Sequence, residues 1–131
     1  RHFQGMHVVK QILDIMARLK MNVFHWHLTD DQGWRIEIEQ YPRLVRVGSK
    51  RAGTSYRHFS RHHNQVPYSG SYTQREIDEI VQFAEARYIT VVPEVEFPGH
   101  ATAALAAYPE FSCTGGPFEV ATQWGIFPEL Y

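Results

Sequence analysis

Residues 22–35 have the sequence NVFHWHLTDDQGWR, in which a short apolar run is followed by a polar turn. β-Branched and aromatic residues such as Val23, Phe24 and Trp26 favour an extended strand, and the Thr-Asp-Asp-Gln-Gly that follows is typical of a turn. Residues 89–95, ITVVPEV, form a second run of this kind, with Pro-Gly after it. The sequence therefore predicts two strands, each of which ends in polar residues.

Amphipathic helices are predicted before each strand. Between residues 5 and 20, apolar side chains recur at a spacing that places them on one helical face. Residues 73–76, TQRE, form a capping-box pattern, and the helix that begins there is predicted to run to about residue 88. A short Ala-rich helix at 101–107 follows the second strand. Alternation of helices and strands indicates a parallel sheet with crossover helices.

The fold class predicted from this order is α/β, specifically a partial (β/α)8 TIM barrel. A complete barrel needs about 250 residues, whereas the chain has 131. Residues 1–131 are therefore expected to be the N-terminal portion of a single TIM-barrel domain, from roughly the end of barrel strand 1 through the region after strand 3. Residues 48–71 lack clear periodicity and are predicted to form a long loop, of a length that is often functional.

Composition indicates a globular protein and argues against several classes of partner. Hydrophobic residues make up 44% of the chain and charged residues 21%, with a formal net charge of -1. This balance does not indicate a nucleic-acid-binding surface or a polybasic membrane patch. The apolar runs are too short to span a bilayer. Cys113 is the single cysteine, so the chain has no internal disulfide and cysteine usage leaves the redox compartment open.

Polar residues cluster where the predicted strands end. Asp30 follows the first strand, Glu96 and His100 follow the second, and Arg1 lies where an upstream strand would end. In TIM barrels the reacting groups sit at the carboxyl ends of the strands, so these residues are expected to converge on one rim. An Asp that faces a His fixes the tautomer of the imidazole and supports its charged form. Capping and turn formation are the alternative interpretation for Asp30 and His100.

Four segments carry a resemblance to one enzyme family. They are RHF at residues 1–3, NVFHWHLTDDQGWR at 22–35, YTQ at 72–74 and PEVEFPGH at 93–100. Together they resemble the β-N-acetylhexosaminidases of glycoside hydrolase family 20, with the motifs in the family's order from Arg1 to about Pro109. Each motif alone is weak, whereas the combination is specific.

The resemblance implies hydrolysis of terminal non-reducing β-linked N-acetylhexosamine residues (GlcNAc or GalNAc) from glycans, by a retaining, substrate-assisted mechanism. The acetamido oxygen of the substrate attacks the anomeric carbon, an Asp orients that group, and a neighbouring Glu acts as general acid and base. In the family this pair follows the fourth strand in a His-x-Gly-Gly-Asp-Glu motif, which the chain does not contain. The isolated chain is therefore expected to be inactive, and no cofactor or metal is expected.

The resemblance also implies roles for residues of this chain. Arg1 matches an arginine that hydrogen-bonds hydroxyls of the terminal sugar, a task that suits a guanidinium with several fixed donors. Asp30 and His100 match a supporting pair behind the general acid, which would help that acid to hold and return its proton. Glu96 stands where the family commonly has Asp and is a candidate substrate-binding residue. Trp34, beside the rim, is a candidate for stacking on a sugar.

Two other functions stay open from the sequence. His25 and His27 lie two residues apart on a strand, and metal-dependent amidohydrolase barrels also use a His-x-His pair. No further ligand cluster of suitable spacing follows, so packed, hydrogen-bonded histidines are the favoured interpretation. A non-catalytic sugar-binding barrel that keeps the pocket is the second alternative.

The resemblance also predicts a glycan as the substrate and a secreted, periplasmic or cell-surface location for the protein.

Overall fold

The structure, a computed structural model, describes residues 2–56 and 62–131. Arg1, the candidate sugar-binding arginine, lies outside the described residues. Helices and strands are interspersed along the chain, which confirms a mixed α/β fold. They follow one another in the order α1 (Met6–Arg18), β1 (Val23–His27), β2 (Thr29–Asp30), β3 (Gly33–Trp34), α2 (Arg43–Arg46), β4 (Lys50–Arg51), β5 (Tyr68–Ser69), α3 (Gln74–Glu85), β6 (Thr90–Glu94), α4 (Thr102–Ala107) and a 3-10 turn at Pro109–Phe111.

The two longer strands, β1 and β6, pair in parallel. Their register places His25 opposite Val92 and His27 opposite Glu94. The chain between them contains α3, since parallel strands need a long crossover connection. Because side chains alternate along a strand, His25, His27 and Glu94 share one face of the pair, whereas Trp26 is on the other.

The main core lies on the strand face that carries Trp26. α1 and α3 pack against each other over this face, and α3 also contacts β6. In α1, residues Val9, Leu13 and Met16 follow the helical repeat and all three are buried. The buried members of this core are Val9, Leu13, Met16, Trp26, Leu28, Tyr72, Ile80, Ala84 and Ile89. The amphipathic pattern of the sequence thus correctly predicts which face of α1 is buried in the main core.

A smaller core lies under α4. β2 and β3 form a short antiparallel hairpin, with Thr29 opposite Trp34 and Asp30 opposite Gly33. The hairpin directs Trp34 into a cluster whose buried members are Trp34, Leu44, Ala104, Ala107 and Tyr108. α4 also contacts β2, which brings the segment after β6 next to the turn after β1.

A buried guanidinium ties the long loop to the turn after β1. Arg35 is 2% exposed, and its Nη1 donates to the carbonyl oxygens of Ser49 and Gly70 at 2.7 and 2.8 Å. Its Nη2 donates to the carbonyl oxygen of Gln32 at 3.2 Å. Burial, followed by the charge of Arg51, lowers the pKa of Arg35 to about 10. Arg35 therefore stays charged near neutral pH and needs all of these acceptors.

Gly33 lets this guanidinium lie against the turn. A Cβ atom at position 33 would lie 2.0 Å from Nη2 and 2.3 Å from Cζ of Arg35. Both distances are far below van der Waals contact, so a side chain at this position would displace a buried, hydrogen-bonded charge.

The predicted capping box at the start of α3 is confirmed. The backbone N–H of Glu76 donates to Oγ1 of Thr73 at 3.2 Å, and the backbone N–H of Thr73 donates to Oε2 of Glu76 at 2.8 Å. These two bonds satisfy donors that the first turn of a helix leaves without partners, so the short TQRE pattern is sufficient to place the start of the helix.

The other predicted elements are present within narrower bounds. The first predicted strand ends at His27, and the polar turn predicted after it contains the short hairpin of β2 and β3. The helix predicted to reach residue 88 ends at Glu85, and Tyr88 has a φ of 57°, in the left-handed region that follows many helices. The predicted loop at 48–71 contains the antiparallel pair β4–β5. Among the described residues, no helix is both long and apolar enough to cross a bilayer.

Leu13→Ala is expected to lower the free energy of unfolding by about 2 to 5 kcal/mol, because it leaves a cavity in the main core. Leu13 is fully buried, whereas Leu19 is 66% exposed and provides a matched control. Leu19→Ala is expected to change the free energy of unfolding by at most about 0.5 kcal/mol. Urea unfolding of the protein, followed by tryptophan fluorescence, measures both variants. Equal losses for the two would contradict this placement of the core.

Candidate active site

The carboxyl ends of β1 and β6 meet at one edge of the sheet, and polar residues lie together there. Asp30 belongs to the hairpin after β1, whereas Glu96 and His100 follow β6. The structure brings these residues to one place: Oδ1 of Asp30 lies 3.4 Å from Nδ1 of His100. Asp30 and Glu96 also lie 3.8 and 3.6 Å from Nε2 of the same residue, His27. Parallel pairing therefore joins two turns that are far apart in the sequence.

His100 forms its hydrogen bond with Asp31 rather than with Asp30. Its Nδ1 lies 2.9 Å from Oδ2 of Asp31 and 3.4 Å from Oδ1 of Asp30. An ionised carboxylate can only accept, so Nδ1 carries the hydrogen and donates it to Asp31. Asp30 and His100 do lie close together, while their roles stay predictions. Asp31 is absent from the predicted site residues, and its one signal in the sequence is that it is the second Asp of the turn.

Asp31 receives hydrogen bonds from several directions. The residue is fully buried, and its Oδ1 accepts from the backbone N–H of Thr102 at 3.1 Å and from the Thr102 hydroxyl at 2.7 Å. Its backbone carbonyl accepts from the N–H of Ala121 at 3.1 Å. Its own backbone N–H donates to Oδ1 of Asp30 at 2.8 Å. A carboxylate without access to water needs such donors, so the Asp31 side chain has little freedom to move.

The surroundings of His100 raise its pKa. The hydrogen bond to Asp31 is the largest cause, burial acts in the opposite direction, and the charges of Asp31, Asp30 and Glu96 add to the increase. The imidazolium form therefore persists to higher pH than in a free histidine, whose pKa is about 6.5. Because Nδ1–H is directed at Asp31, Nε2 on the other side of the ring is the nitrogen that can meet a reacting group.

His27 lies at the centre of a second group of charges. Its Nε2 is 3.7 Å from Oε1 of Glu94, 3.6 Å from Oε1 of Glu96 and 3.8 Å from Oδ2 of Asp30. Nε2 of His25 lies 2.5 Å from Oε2 of Glu94. Nε2 of His25 is therefore within hydrogen-bond distance of a carboxylate, whereas the contacts of His27 are longer ion-pair distances. Both side chains are exposed in the described chain, at 65% and 36%.

The pKa values of Glu94 and Glu96 shift in opposite directions. A hydrogen bond from Glu96 is the largest cause that lowers the pKa of Glu94. Burial, followed by the hydrogen bond to Glu94 and by its charge, raises the pKa of Glu96. Glu96 is therefore the partner that keeps its proton to higher pH. Its backbone N–H donates to Oγ1 of Thr29 at 2.8 Å, which fixes the segment after β6 against the hairpin.

Two groups of side chains have the spacing that metal ligands need. Their members are His27, Glu94 and Glu96 in one group and Asp30, Asp31 and His100 in the other, and within each group the possible ligand atoms lie within 4.8 Å of one another. In the second group, hydrogen bonds to protein donors already engage the carboxylate oxygens of Asp31. The first group is partly exposed, and exposed acidic groups of this spacing are common without an ion. The carboxylate of Asp31 is therefore engaged within the protein.

Trp34 packs in the smaller core, while its role in stacking on a sugar stays a prediction. It is 8% exposed, and its indole N–H donates to the carbonyl oxygen of Ile36 at 2.5 Å. The ring packs in the smaller core with Leu44 and Tyr108. The physical reason is the β2–β3 hairpin, which turns the ring inward although the residue follows a polar turn.

Comparisons with known proteins identify the family. A family model described as glycosyl hydrolase family 20, catalytic domain, matches residues 1–130. The chain belongs to glycosyl hydrolase family 20. It is 49% identical over 131 residues to a β-hexosaminidase of Porphyromonas gingivalis, an alignment that covers 100% of this chain and 16% of that relative. Membership confirms the resemblance in the sequence and does not favour the amidohydrolase and sugar-binding alternatives.

Solved structures agree with this membership of family 20. A crystal structure of a β-N-acetylhexosaminidase matches with a TM-score of 0.92 at 41% identity, over 99% of this chain and 26% of that one. A mutant Streptomyces plicatus β-hexosaminidase in complex with the product GlcNAc matches with a TM-score of 0.81 at 40% identity, over 99% of this chain and 24% of that one. The chain therefore spans from about a sixth to about a quarter of the length of these relatives.

Trp34→Phe is expected to lower the free energy of unfolding of the full-length family-20 protein by about 1 kcal/mol, because it removes the indole hydrogen bond and keeps an aromatic ring in the core. The affinity for GlcNAc is expected to stay unchanged. Urea unfolding and calorimetric titration with GlcNAc measure the two effects. A large loss of affinity for GlcNAc in a variant of normal stability would support stacking of Trp34 on the sugar.

Proposed function

We propose that the full-length protein removes terminal non-reducing β-linked N-acetylhexosamine residues, GlcNAc or GalNAc, from glycans by a retaining, substrate-assisted mechanism. The observation that carries this proposal is the match to the family-20 catalytic domain across residues 1–130. The GlcNAc bound to the Streptomyces plicatus relative supports the substrate class. The group of Asp30, Asp31 and His100 supports the chemistry, because the two carboxylates raise the pKa of an imidazole where the strands end.

We also propose that β1 and β6 are neighbouring strands of a TIM barrel, of which residues 1–131 form the N-terminal portion. Their parallel pairing, with α3 in the connection, supports this arrangement. The face that carries His25, His27 and Glu94 would then line the barrel interior. The side chains of His25 and Glu94 are 65% and 31% exposed in the described chain, and the remaining strands would cover them. Imidazole and carboxylate groups suit such a position because they satisfy one another when water is excluded.

Each site residue has a separate task in the proposed reaction. Arg1 hydrogen-bonds hydroxyls of the terminal sugar, and Glu96 lies at the substrate-binding rim. Asp30 and His100 support the Glu that acts as general acid, which the family places after its fourth strand. When that Glu has given its proton to the leaving oxygen it becomes negative, and a nearby imidazolium stabilises the new charge. The same Glu then takes a proton from the water that opens the oxazoline-like intermediate.

The proposed partner is a glycan that ends in an N-acetylhexosamine. A secreted, periplasmic or cell-surface location fits such a substrate and follows the habit of the family. The formal net charge of -1 gives the chain no electrostatic preference for nucleic acid.

The full-length protein is expected to release the chromophore from aryl β-N-acetylglucosaminides and β-N-acetylgalactosaminides, and to leave the α-anomers intact. Proton NMR of the first product formed should show the β-anomer, because two displacements retain configuration. A thiazoline analogue of the intermediate should inhibit competitively, and a chelator should have no effect. The isolated 131-residue chain should show no turnover, since it lacks the Asp-Glu motif. An α-anomer as first product, or no inhibition by the thiazoline, would refute the proposed mechanism.

Arg1→Met in the full-length protein is expected to lower kcat/KM by about 10- to 100-fold, because it removes charge-assisted hydrogen bonds to the sugar. Arg18→Met is the matched control, since Arg18 is an exposed residue in the last turn of α1. Steady-state kinetics on an aryl β-N-acetylglucosaminide measures both variants. The assignment of Arg1 fails if the two variants have the same kcat/KM.

A further inference from the structure

A small cavity of about 70 Å³ lies where the turn after β1, the residues after β4 and the segment 122–124 meet. Its lining includes Gln32, Arg51, Thr54 and the rings of His2 and Trp124. One water molecule needs about 10 to 15 Å³ on the same measure, so the cavity has room for more than one water or for a small polar group of a ligand.

Gln32 contributes a buried acceptor to this cavity. The residue is 4% exposed, and its Nε2 donates to the carbonyl oxygen of Gln123 at 3.0 Å. That bond fixes the amide group. Its oxygen, Oε1, is buried and has no hydrogen-bond partner within residues 2–56 and 62–131. A buried carbonyl oxygen without a donor is rare and costs free energy, which indicates that another molecule supplies the donor.

Thr54 contributes a donor to the same cavity. Its Oγ1 accepts from Nη2 and Nε of Arg51 at 3.1 and 3.4 Å. A hydroxyl oxygen has two lone pairs, and these two bonds occupy both of them. The Thr54 hydroxyl can therefore act on a ligand only through its hydrogen.

A buried guanidinium holds the walls of the cavity in place. Arg51 is 4% exposed, and its Nη1 donates to the backbone carbonyl oxygen of Gln32 at 2.9 Å. Its Nη2 lies 3.0 Å from Nδ1 of His2. A guanidinium only donates, so Nδ1 of His2 is the acceptor. The guanidinium carbon also lies 4.4 Å from the centre of the Tyr68 ring. These contacts with one charge give the cavity a fixed shape before any ligand binds.

The cavity is next to the candidate active site in the sequence at two points. His2 follows Arg1, the residue proposed to bind sugar hydroxyls, and Gln32 follows Asp31. The rings of His2 and Trp124 provide flat surfaces of the kind on which sugars pack. A hydroxyl group both donates and accepts one hydrogen bond, and it therefore matches the acceptor of Gln32 and the donor of Thr54 together.

We propose that this cavity is a subsite for one hydroxyl group of the glycan, which donates to Oε1 of Gln32 and accepts from the hydroxyl of Thr54. The inference rests on the proposed function, since it concerns the substrate of the same site. It makes Gln32 and Thr54 determinants of which glycans bind well. The hydroxyl belongs either to the terminal N-acetylhexosamine or to the sugar joined to it, and the experiment separates these two sources.

The experiment uses Gln32→Met in the full-length protein, with Gln11→Met as matched control because Gln11 is an exposed residue of α1. The kcat/KM is measured for an aryl β-N-acetylglucosaminide, for its analogues without the hydroxyl at C3, C4 or C6, and for a β-linked disaccharide of GlcNAc. Gln32→Met is expected to lower kcat/KM by about 5- to 30-fold for a substrate that carries the bound hydroxyl, which corresponds to one or two hydrogen bonds. Gln11→Met should have wild-type values.

The set of substrates separates binding of the hydroxyl from a general effect of the substitution. Gln32→Met also removes the bond to Gln123, but that loss affects every substrate alike. If the terminal sugar supplies the hydroxyl, the additional loss should vanish for one deoxy analogue and persist for the other two. If the neighbouring sugar supplies it, the loss should be larger for the disaccharide than for the aryl glycoside.

Thr54 provides a second pair of variants. Thr54→Val removes the hydroxyl and preserves the shape of the side chain, whereas Thr54→Ser keeps the hydroxyl. The Val variant should show the same pattern across the substrates as Gln32→Met, and the Ser variant should stay near the wild type. Thermal unfolding checks that each variant is folded.

A crystal structure of the wild-type full-length protein with a thio-linked disaccharide of GlcNAc decides the matter if the variants do not fold. We expect a sugar oxygen within hydrogen-bond distance of Oε1 of Gln32. Water in that position, with the disaccharide bound elsewhere, would show that the cavity serves only to hold solvent and would overturn the inference.

The kinetic result that overturns the inference is a folded Gln32→Met variant whose kcat/KM falls by the same factor for every substrate or does not fall at all. Failure of the proposed function has a different signature, because the wild-type protein would then hydrolyse none of these substrates. Calorimetric titration of the wild type and of Gln32→Met with the thio-linked disaccharide would still test the subsite in that case.

Discussion

A buried carboxylate needs hydrogen-bond donors, and the donors to Asp31 determine how the site in this chain is arranged. Within residues 2–56 and 62–131, the donors to its side chain are His100 and Thr102, which follow β6 and lie outside the hairpin to which Asp31 belongs. The turn after β1 and the turn after β6 are therefore fixed to each other by one buried group. Parallel pairing of the strands brings the turns together, and the shared hydrogen bonds determine which side chain faces which.

Arg35, a few residues along the chain, is a buried positive charge and needs hydrogen-bond acceptors rather than donors. Its acceptors are backbone carbonyl oxygens of the hairpin turn and of the long loop. A loop with little regular structure is thereby attached to the rim of the site. The carboxylate and the guanidinium use side chains to join segments that share few backbone hydrogen bonds, so the rim does not depend on long strands for its shape.

Much of this arrangement is visible in the sequence, and the exceptions have a common cause. The start of α3 is correctly predicted because its capping box is a local pattern, and Val9, Leu13 and Met16 are correctly placed because a helix repeats. The positions of the Asp31 and Trp34 side chains depend instead on the β2–β3 hairpin. Each strand of this hairpin has two residues, which is too short to show a periodic pattern in the sequence. The sequence predicts a turn at residues 29–33, but it does not show that the turn is a hairpin, and the hairpin sets the direction of each side chain in it. Proximity of Asp30 to His100 follows from strand order, but the identity of the hydrogen-bonding Asp requires coordinates.

The close approach of Gly33 to Arg35 limits how this region can be redesigned. Because a Cβ at position 33 would fall inside the guanidinium, a combinatorial library across the 29–35 turn would lose most of its members to this one site. Holding glycine at 33 leaves the rest of the turn open to variation in search of altered specificity. The same reasoning applies to divergence in nature: a replacement of Gly33 would require the buried guanidinium of Arg35 to move or Arg35 to change as well. The two positions are therefore expected to vary together.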